Sequence, residues 1–401
     1  MTIINGYVSP RFEPVRQVFD NLFSEYGELG AAVTLIHQGE TVVNLWAGTR
    51  DKESQLSWQE DTRLNVFSVS KALVAVAVLQ LVERDVLSLD QTVASVWPEF
   101  GQAGKEGITL RQVLTHRSGV NAFHAKIPDE DIYRWDRITH WIAQETPWWT
   151  PGESQGYSPV LYGWILGEVV RRASGCRTFN DYVQQHISRP LGLNWTFGLR
   201  DDELAAIADV TALKSPSGQT SGGLLAESMR NDPGGVTAQA FSNPMSLMVG
   251  TNQPPWRQAQ IPAANGHASA GDLARFYMAL ADLKDERLLS AEIRSLCWEE
   301  QTHSARDKVL QCPISLGMGF MRLLPQGVAS QRYFCHPGAG GSLGYGDNSE
   351  QFGFGFVSRA MGLSITMDER ADKLLQAVYG CIRSDNGCSV CIKLDVNECE
   401  V

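Results

Sequence analysis

The stretch Val69–Leu87, VSKALVAVAVLQLVERDVL, constrains this chain more than any other. Its apolar positions recur at helical spacing and break only near Arg84 and Asp85, which predicts a helix that is apolar on every side. Such a helix is stable only inside a large body of protein. The chain can supply one, since 401 residues at 43% hydrophobic content suffice for one large domain or two ordinary ones.

One ionisable side chain, Lys71, interrupts the apolar run near its start, and Ser68 precedes it by three residues. On a helix that spacing puts both on one face, about 5–6 Å apart. A serine hydroxyl is a weak nucleophile at neutral pH unless a base lies within hydrogen-bond reach. A lysine among Val69, Ala72, Leu73, Val74 and Ala75 can lose its proton, because burial disfavours the charged form. Lys71 is thus expected inside in order to be desolvated, with Ser68 as candidate nucleophile. None of the other eight lysines has a serine three positions earlier.

Patterns elsewhere predict strands at both ends of the chain and helices between them. AAVTLIHQ and TVVNLWAG read as a hairpin around Gly39 and Glu40. LRQVLTHRSGV predicts a short helix ending at Gly119, and SPVLYGWILGEVVRRASG a longer one with Ser158 as N-cap, Pro159 at the first position and Gly175 past the end. Residues 211–262 lose any period and read as a long functional loop. Past the helix SAGDLARFYMALAD, the segments LGMGFMRLL, QRYFCH, GSLGYGD and FGFGFVSRAMG read as antiparallel strands, and MDERADKLLQAVYGCI as a closing helix. The predicted class is α/β (α+β): an antiparallel sheet from 1–66 and 265–382, with flanking helices and a mainly helical insertion over 67–264. Residues 383–401 form a polar, cysteine-containing tail, expected to be disordered.

Composition narrows the function. Lys and Arg total 34 against 45 Asp and Glu, a net charge of −11 with no basic stripe, so no nucleic-acid partner is expected. The start, MTIINGYVSPRFEPVRQ, lacks the features of a signal peptide and no apolar run reaches membrane-spanning length. A cytoplasmic protein with no membrane contact is the expectation. Cys381, Cys388, Cys391 and Cys399 crowd the end of the chain, and Cys388 and Cys391 form a C-x-x-C that could be a zinc or redox site, but with no second tight pair a polar tail without metal is the expectation. His116 and His124 flank Gly119 without H-E-x-x-H or a similar pairing, so surface or capping roles are expected and no metal. Trp148, Trp149, Tyr133 and Trp135 are expected mostly in the core, with a substrate wall as the alternative.

Gly340-Gly341-Ser342-Leu343-Gly344 fits the G-x-S-x-G nucleophile elbow. That motif needs a helix after the serine and a histidine later in the chain. LGYGDNSEQFGFGF is strand-like, and all eight histidines precede Ser342. Ser342 is therefore assigned to a glycine-rich turn.

Five blocks in order resemble the serine β-lactamase and D,D-peptidase superfamily, most closely its class C-like branch of family VIII carboxylesterases. They are FSVSKAL, WPEFGQAGKEGITLRQVLTHRSGV, PWWTPGESQGYSPVLYGWILGEVV, IPAANGHASAGDLARFY and HPGAGGSLGYGD, together spanning about residues 5–382. The resemblance implies a β-lactamase/transpeptidase-like fold and cleavage of a small-molecule carboxylic ester through an acyl-enzyme on Ser68, with no cofactor. Lys71 and Tyr157 would share proton transfer. The family's Y-x-N motif maps onto Tyr157-Ser158-Pro159, where Pro159 removes a polar side chain, and its K-T-G motif onto His336-Pro337-Gly338. An imidazole largely neutral near pH 7 replaces a fixed charge there, which favours neutral esters over β-lactams and peptide C-termini. The amides of Ser68 and Ala339 are implied as the oxyanion hole, and His336, Gly338, Gly340 and Gly341 as substrate contacts. β-Lactamase or D-amino peptidase, acyltransferase and a non-catalytic penicillin-binding-like protein stay open as alternatives, as does the oligomeric state.

Overall fold

The computed structural model describes residues 2–53, 55–212 and 224–384. Three strands from the start of the chain, β1 (Ile4–Val8), β2 (Gly30–His37) and β3 (Glu40–Gly48), join three from its later part, β4 (Tyr333–Pro337), β5 (Leu343–Asp347) and β6 (Phe352–Ser358). They form one six-stranded sheet in the order β1-β3-β2-β6-β5-β4, and every neighbouring pair is antiparallel. The hairpin between β2 and β3 turns on Gln38 and Gly39, both at positive φ, the backbone that matches strand twist across a two-residue turn. Glu40 opens β3 and lies outside that turn.

The F-G-F-G-F run of β6 explains how the sheet is covered. Phe352, Phe354 and Phe356 point to one face and are fully buried there with Val15, Phe19, Leu374 and Val378. These four belong to α1 (Glu13–Glu25) and to the closing helix Glu369–Arg383. Burying each phenylalanine is worth about 1.5–3 kcal/mol. Gly353 and Gly355 point the other way, against the helix Ala270–Ala281. A Cβ at these glycines would come within 2.2 Å of Met278 N and 2.1 Å of Ala270 O, so only glycine lets that helix lie on the sheet.

Between the two halves of the sheet runs the mainly helical part. Its centre is α2 (Lys71–Glu83), buried without a break from Lys71 to Leu81 and packed against α3 (Leu161–Ser174). Gly175 ends α3 in the left-handed conformation, as its position predicts. The helix predicted to reach Gly119 is shorter, Leu110–Leu114.

Four elements differ from the sequence reading. The first strand and α1 have no counterpart in it, because β1 is mostly exposed and carries no clear alternation. Of LGMGFMRLL only the first residue, Leu316, lies in a strand, Ile314–Leu316, which pairs with Thr302–Ser304; the stretch reaches Cys335 through a bridge at Met321. From residue 224 onward the long loop folds into short helices at Leu224–Asn231, Val236–Ser242, Ser246–Val249 and Pro254–Gln258. Each is short and bounded by Gly, Pro or Asn, so no helical period accumulates over a readable window. Cys388, Cys391 and Cys399 lie outside the described residues, while Cys381 is buried as a free thiol.

Candidate active site

Ser68 sits in a 3-10 turn, Phe67–Ser70, that runs straight into α2 at Lys71. The α-helix thus starts two residues later than the predicted helix. The tighter turn eclipses side chains three apart, and Lys71 Nζ lies 2.9 Å from Ser68 Oγ. Phe67 enters the turn at φ +46°, a left-handed conformation that costs a non-glycine residue energy and persists only when surroundings enforce it. They do so here. Val66 N–H donates to Gly266 O at 2.9 Å and Gly266 N–H to Ser70 Oγ at 3.0 Å. Gly338 presses on the same point, where a Cβ would meet Val66 O at 2.4 Å.

Lys71 has no exposed surface. Besides Ser68, its amine faces two carbonyl oxygens, Pro159 O at 2.7 Å and Ala263 O at 3.0 Å. Ala263 is held close by α3, where a Cβ on Gly163 would lie 2.2 Å from Ala263 N. Burial pushes the Lys71 pKa well below its ordinary value, as a low-dielectric site disfavours the ammonium form. A neutral amine here can give its two N–H groups to the two carbonyls and turn its lone pair to the serine hydroxyl.

Tyr157 is 2% exposed, its ring centroid 4.8 Å from Lys71 Nζ. Burial raises its phenol pKa, and a hydrogen-bonding contact with the Ser68 side chain pulls the other way. The predicted trio of Ser68, Lys71 and Tyr157 is therefore brought together. Ser158 is not the helix N-cap: α3 begins at Leu161, and the Ser158 hydroxyl reaches forward to accept from Tyr162 N–H at 3.0 Å.

Two residues that sequence reasoning did not place here support Tyr157. His116, expected at the surface or as a cap, is buried between the rings of Tyr157 and Tyr162, with centroids 4.8 and 4.9 Å away. Its Nδ1 accepts from Ser158 N–H at 3.0 Å, which puts the ring proton on Nε2. Burial keeps it neutral. Asp307 accepts the Tyr157 N–H with both carboxylate oxygens, at 2.9 and 3.1 Å.

His336, Gly338, Ala339, Gly340 and Gly341 lie at the end of β4 and in the turn that follows it. The amides of Gly338, Gly340 and Gly341 donate to Ser342, Ser364 and Gly338 carbonyls, and among the described residues the Ala339 amide has no protein acceptor. Ala339 and Ser68 share the wall of one cavity. His336 does not reach that wall: it is 1% exposed, beside the Tyr157 ring, with Nδ1 donating to Pro337 O at 3.0 Å. Burial lowers its pKa to about 3. Gly340 and Gly341 abut Met361 and Arg370 rather than the cavity. Ser342 is in the turn before β5, its carbonyl engaged by Gly338.

The cavity has a volume of about 280 Å³ and is walled by Phe67, Phe241, Leu247, Trp256, Met361 and Ile365 among others, with no charged side chain among its described lining residues. Its aromatics are not those singled out from sequence. Trp148, Trp149 and Trp135 instead turn their indole N–H groups to Ala122 O, Ser154 O and Glu168. Phe241 and Trp256 come from the short helices of the segment read as a loop.

Residues 15–378 match the family described as Beta-lactamase. The chain belongs to that family. A penicillin-binding protein homologue from Caulobacter crescentus superposes with a TM-score of 0.84 at 35% identity, covering 95% of this chain and all of that one. A family VIII carboxylesterase gives 0.83 at 28%, covering 94% of this chain and all of that one. In sequence, the esterase/β-lactamase LipL of Mycobacterium tuberculosis is 27% identical over 91% of this chain and 85% of its own length. The β-lactamase/transpeptidase-like fold expected from the five blocks is the fold found. No helix among the described residues is long and apolar enough to cross a membrane.

Proposed function

We propose that this member of the Beta-lactamase family is a carboxylesterase that works through an acyl-enzyme on Ser68. The observation that carries the reading is the Lys71 amine, without solvent exposure, 2.9 Å from Ser68 Oγ and, among the described residues, otherwise hydrogen-bonded only to carbonyls. As Ser68 Oγ attacks the ester carbonyl carbon, its proton passes to the neutral Lys71 amine. The carbonyl oxygen takes the negative charge and rests on the amides of Ser68 and Ala339. Collapse of the tetrahedral intermediate expels an alkoxide, which takes a proton from the Tyr157 phenol, and the phenol is refilled from the Lys71 ammonium. Water then attacks the acyl-enzyme by the same route and releases the acid.

Two features support an ester over a lactam or a peptide C-terminus. Those substrates carry a carboxylate, and no cationic side chain lines the described cavity wall. His336, where the family carries a lysine, is neutral and buried. A neutral ester with apolar groups fits this wall without leaving a charge unpaired.

A fluorophosphonate probe is expected to label the wild type and not Ser68→Ala, and p-nitrophenyl esters to turn over much faster than nitrocefin. Equal labelling of the two proteins contradicts the assignment of Ser68. Nitrocefin as the better substrate moves the reading to a β-lactamase, and a product that forms faster with added alcohol moves it to an acyltransferase.

A further inference from the structure

Three consecutive backbone amides around Tyr157 are taken by two residues far away in the chain. Gly156 N–H donates to His116 O at 2.9 Å, Tyr157 N–H to both oxygens of Asp307, and Ser158 N–H to His116 Nδ1. The Asn121 side chain adds a hydrogen bond to Gly156 O. A loop so clamped cannot rotate Tyr157 away from Ser68 without breaking several buried hydrogen bonds at once.

Asp307 is the unusual member. It has no exposed surface, and its carboxylate meets only amides: Tyr157 N, Val309 N and Leu310 N on Oδ1, Tyr157 N and the Gln155 side chain on Oδ2. Every neighbour within hydrogen-bond distance is a donor, so a protonated carboxyl would have nowhere to place its O–H. Burial raises the Asp307 pKa and the N–H donors of Leu310, Tyr157, Val309 and Gln155 pull it back; with donors on both oxygens, the ionised form is the one that fits this site. Its local bonds to Val309 and Leu310 form a turn that a neutral asparagine or serine also makes. The bond to Tyr157 spans 150 residues and serves no turn.

We propose that Asp307 is a positioning residue for Tyr157, its buried carboxylate fixing the Tyr157 backbone so that the phenol stays at Ser68; this rests on the serine-hydrolase reading above. The charge acts as well as the geometry. The groups facing the Tyr157 ring are Lys71 from α2, His116, His336 from β4 and Tyr162 from α3. Both histidines and Tyr162 are uncharged at neutral pH, with their pKa values displaced by burial. Asp307 is thus the anion felt by the phenol, and it favours the protonated form that can hand a proton to a leaving alkoxide.

The test is Asp307→Asn, with p-nitrophenyl butyrate as substrate and a fluorinated tyrosine placed at position 157, whose ionisation is read by 19F NMR. The carboxamide removes the charge and turns an NH2 toward amide donors. Expected are a kcat lower by about 10- to 100-fold with little change in KM, and a fluorotyrosine ionisation about one pH unit lower. Should the variant not fold, Asp307→Glu carries the test: it keeps the charge but displaces it, so kcat falls while the ionisation stays near the wild-type value. A folded Asp307→Asn with wild-type kcat and ionisation overturns the proposal, as does a folded Asp307→Glu with wild-type kcat. The NMR readout needs no turnover, so it decides the clamp even if Ser68 proves not to be labelled.

Discussion

Among the described residues two lysines have no exposed surface, Lys71 at the start of α2 and Lys105 in the turns before Leu110–Leu114. Each amine meets main-chain carbonyls: Pro159 O and Ala263 O for Lys71, Gln102 O, Ala143 O and Glu145 O for Lys105. Burial lowers both pKa values, but the charges of Glu145 and Glu106 offset part of it for Lys105. Nothing offsets it for Lys71, where burial is the cause and the nearby His336 and His116 are neutral. The third partner of Lys71 is a hydroxyl on a cavity wall, whereas that of Lys105 is one more carbonyl. Burial alone therefore does not mark a reactive amine. A buried amine is reactive when no carboxylate holds its proton and a group that can give one up stands within reach.

Replacing each lysine sharpens this contrast. Lys71→Ala is expected to slow fluorophosphonate labelling of Ser68 by about 10²- to 10⁴-fold with the fold retained by circular dichroism. Labelling within a few-fold of wild type breaks the comparison. Lys105→Met is expected to leave labelling unchanged and to lower the melting temperature by several degrees, because three carbonyls lose a donor at a cost of about 1–3 kcal/mol. A loss of labelling in a folded Lys105→Met puts the two sites on an equal footing and refutes the distinction.

The parts legible in the sequence are those where one short stretch carries the whole physical argument. FGFGFVS shows its two faces by alternation, and α2 shows itself as a helix apolar all round with one lysine in it. Ser68 and Lys71 are neighbours three apart, so their meeting needs only a helical turn. Tyr157 came from the family resemblance, and its loop position was readable from the helix that follows it. Asp307 and His116 were not legible. Asp307 meets Tyr157 from 150 residues away and His116 packs on its ring across the core, and nothing in SARDKVL or LTHRSG announces such a partner. The cavity wall was hidden for another reason: short helices with Pro, Gly and Asn between them look aperiodic, so Phe241 and Trp256 read as loop residues rather than as walls.

The charge state of the Lys71 amine is the centre of the account, and it can be read directly. In protein carrying 13C at lysine Cε, the signal lost in Lys71→Met is that of Lys71. The mechanism needs the neutral amine at pH 7, so that form is expected there, taking up a proton only as the pH falls, with the acid limb of kcat/KM following the same curve; burial lowers the pKa in that direction. A Lys71 signal that stays in the charged position at pH 7 and titrates with the surface lysines, near their usual value of about 10.4, would contradict it.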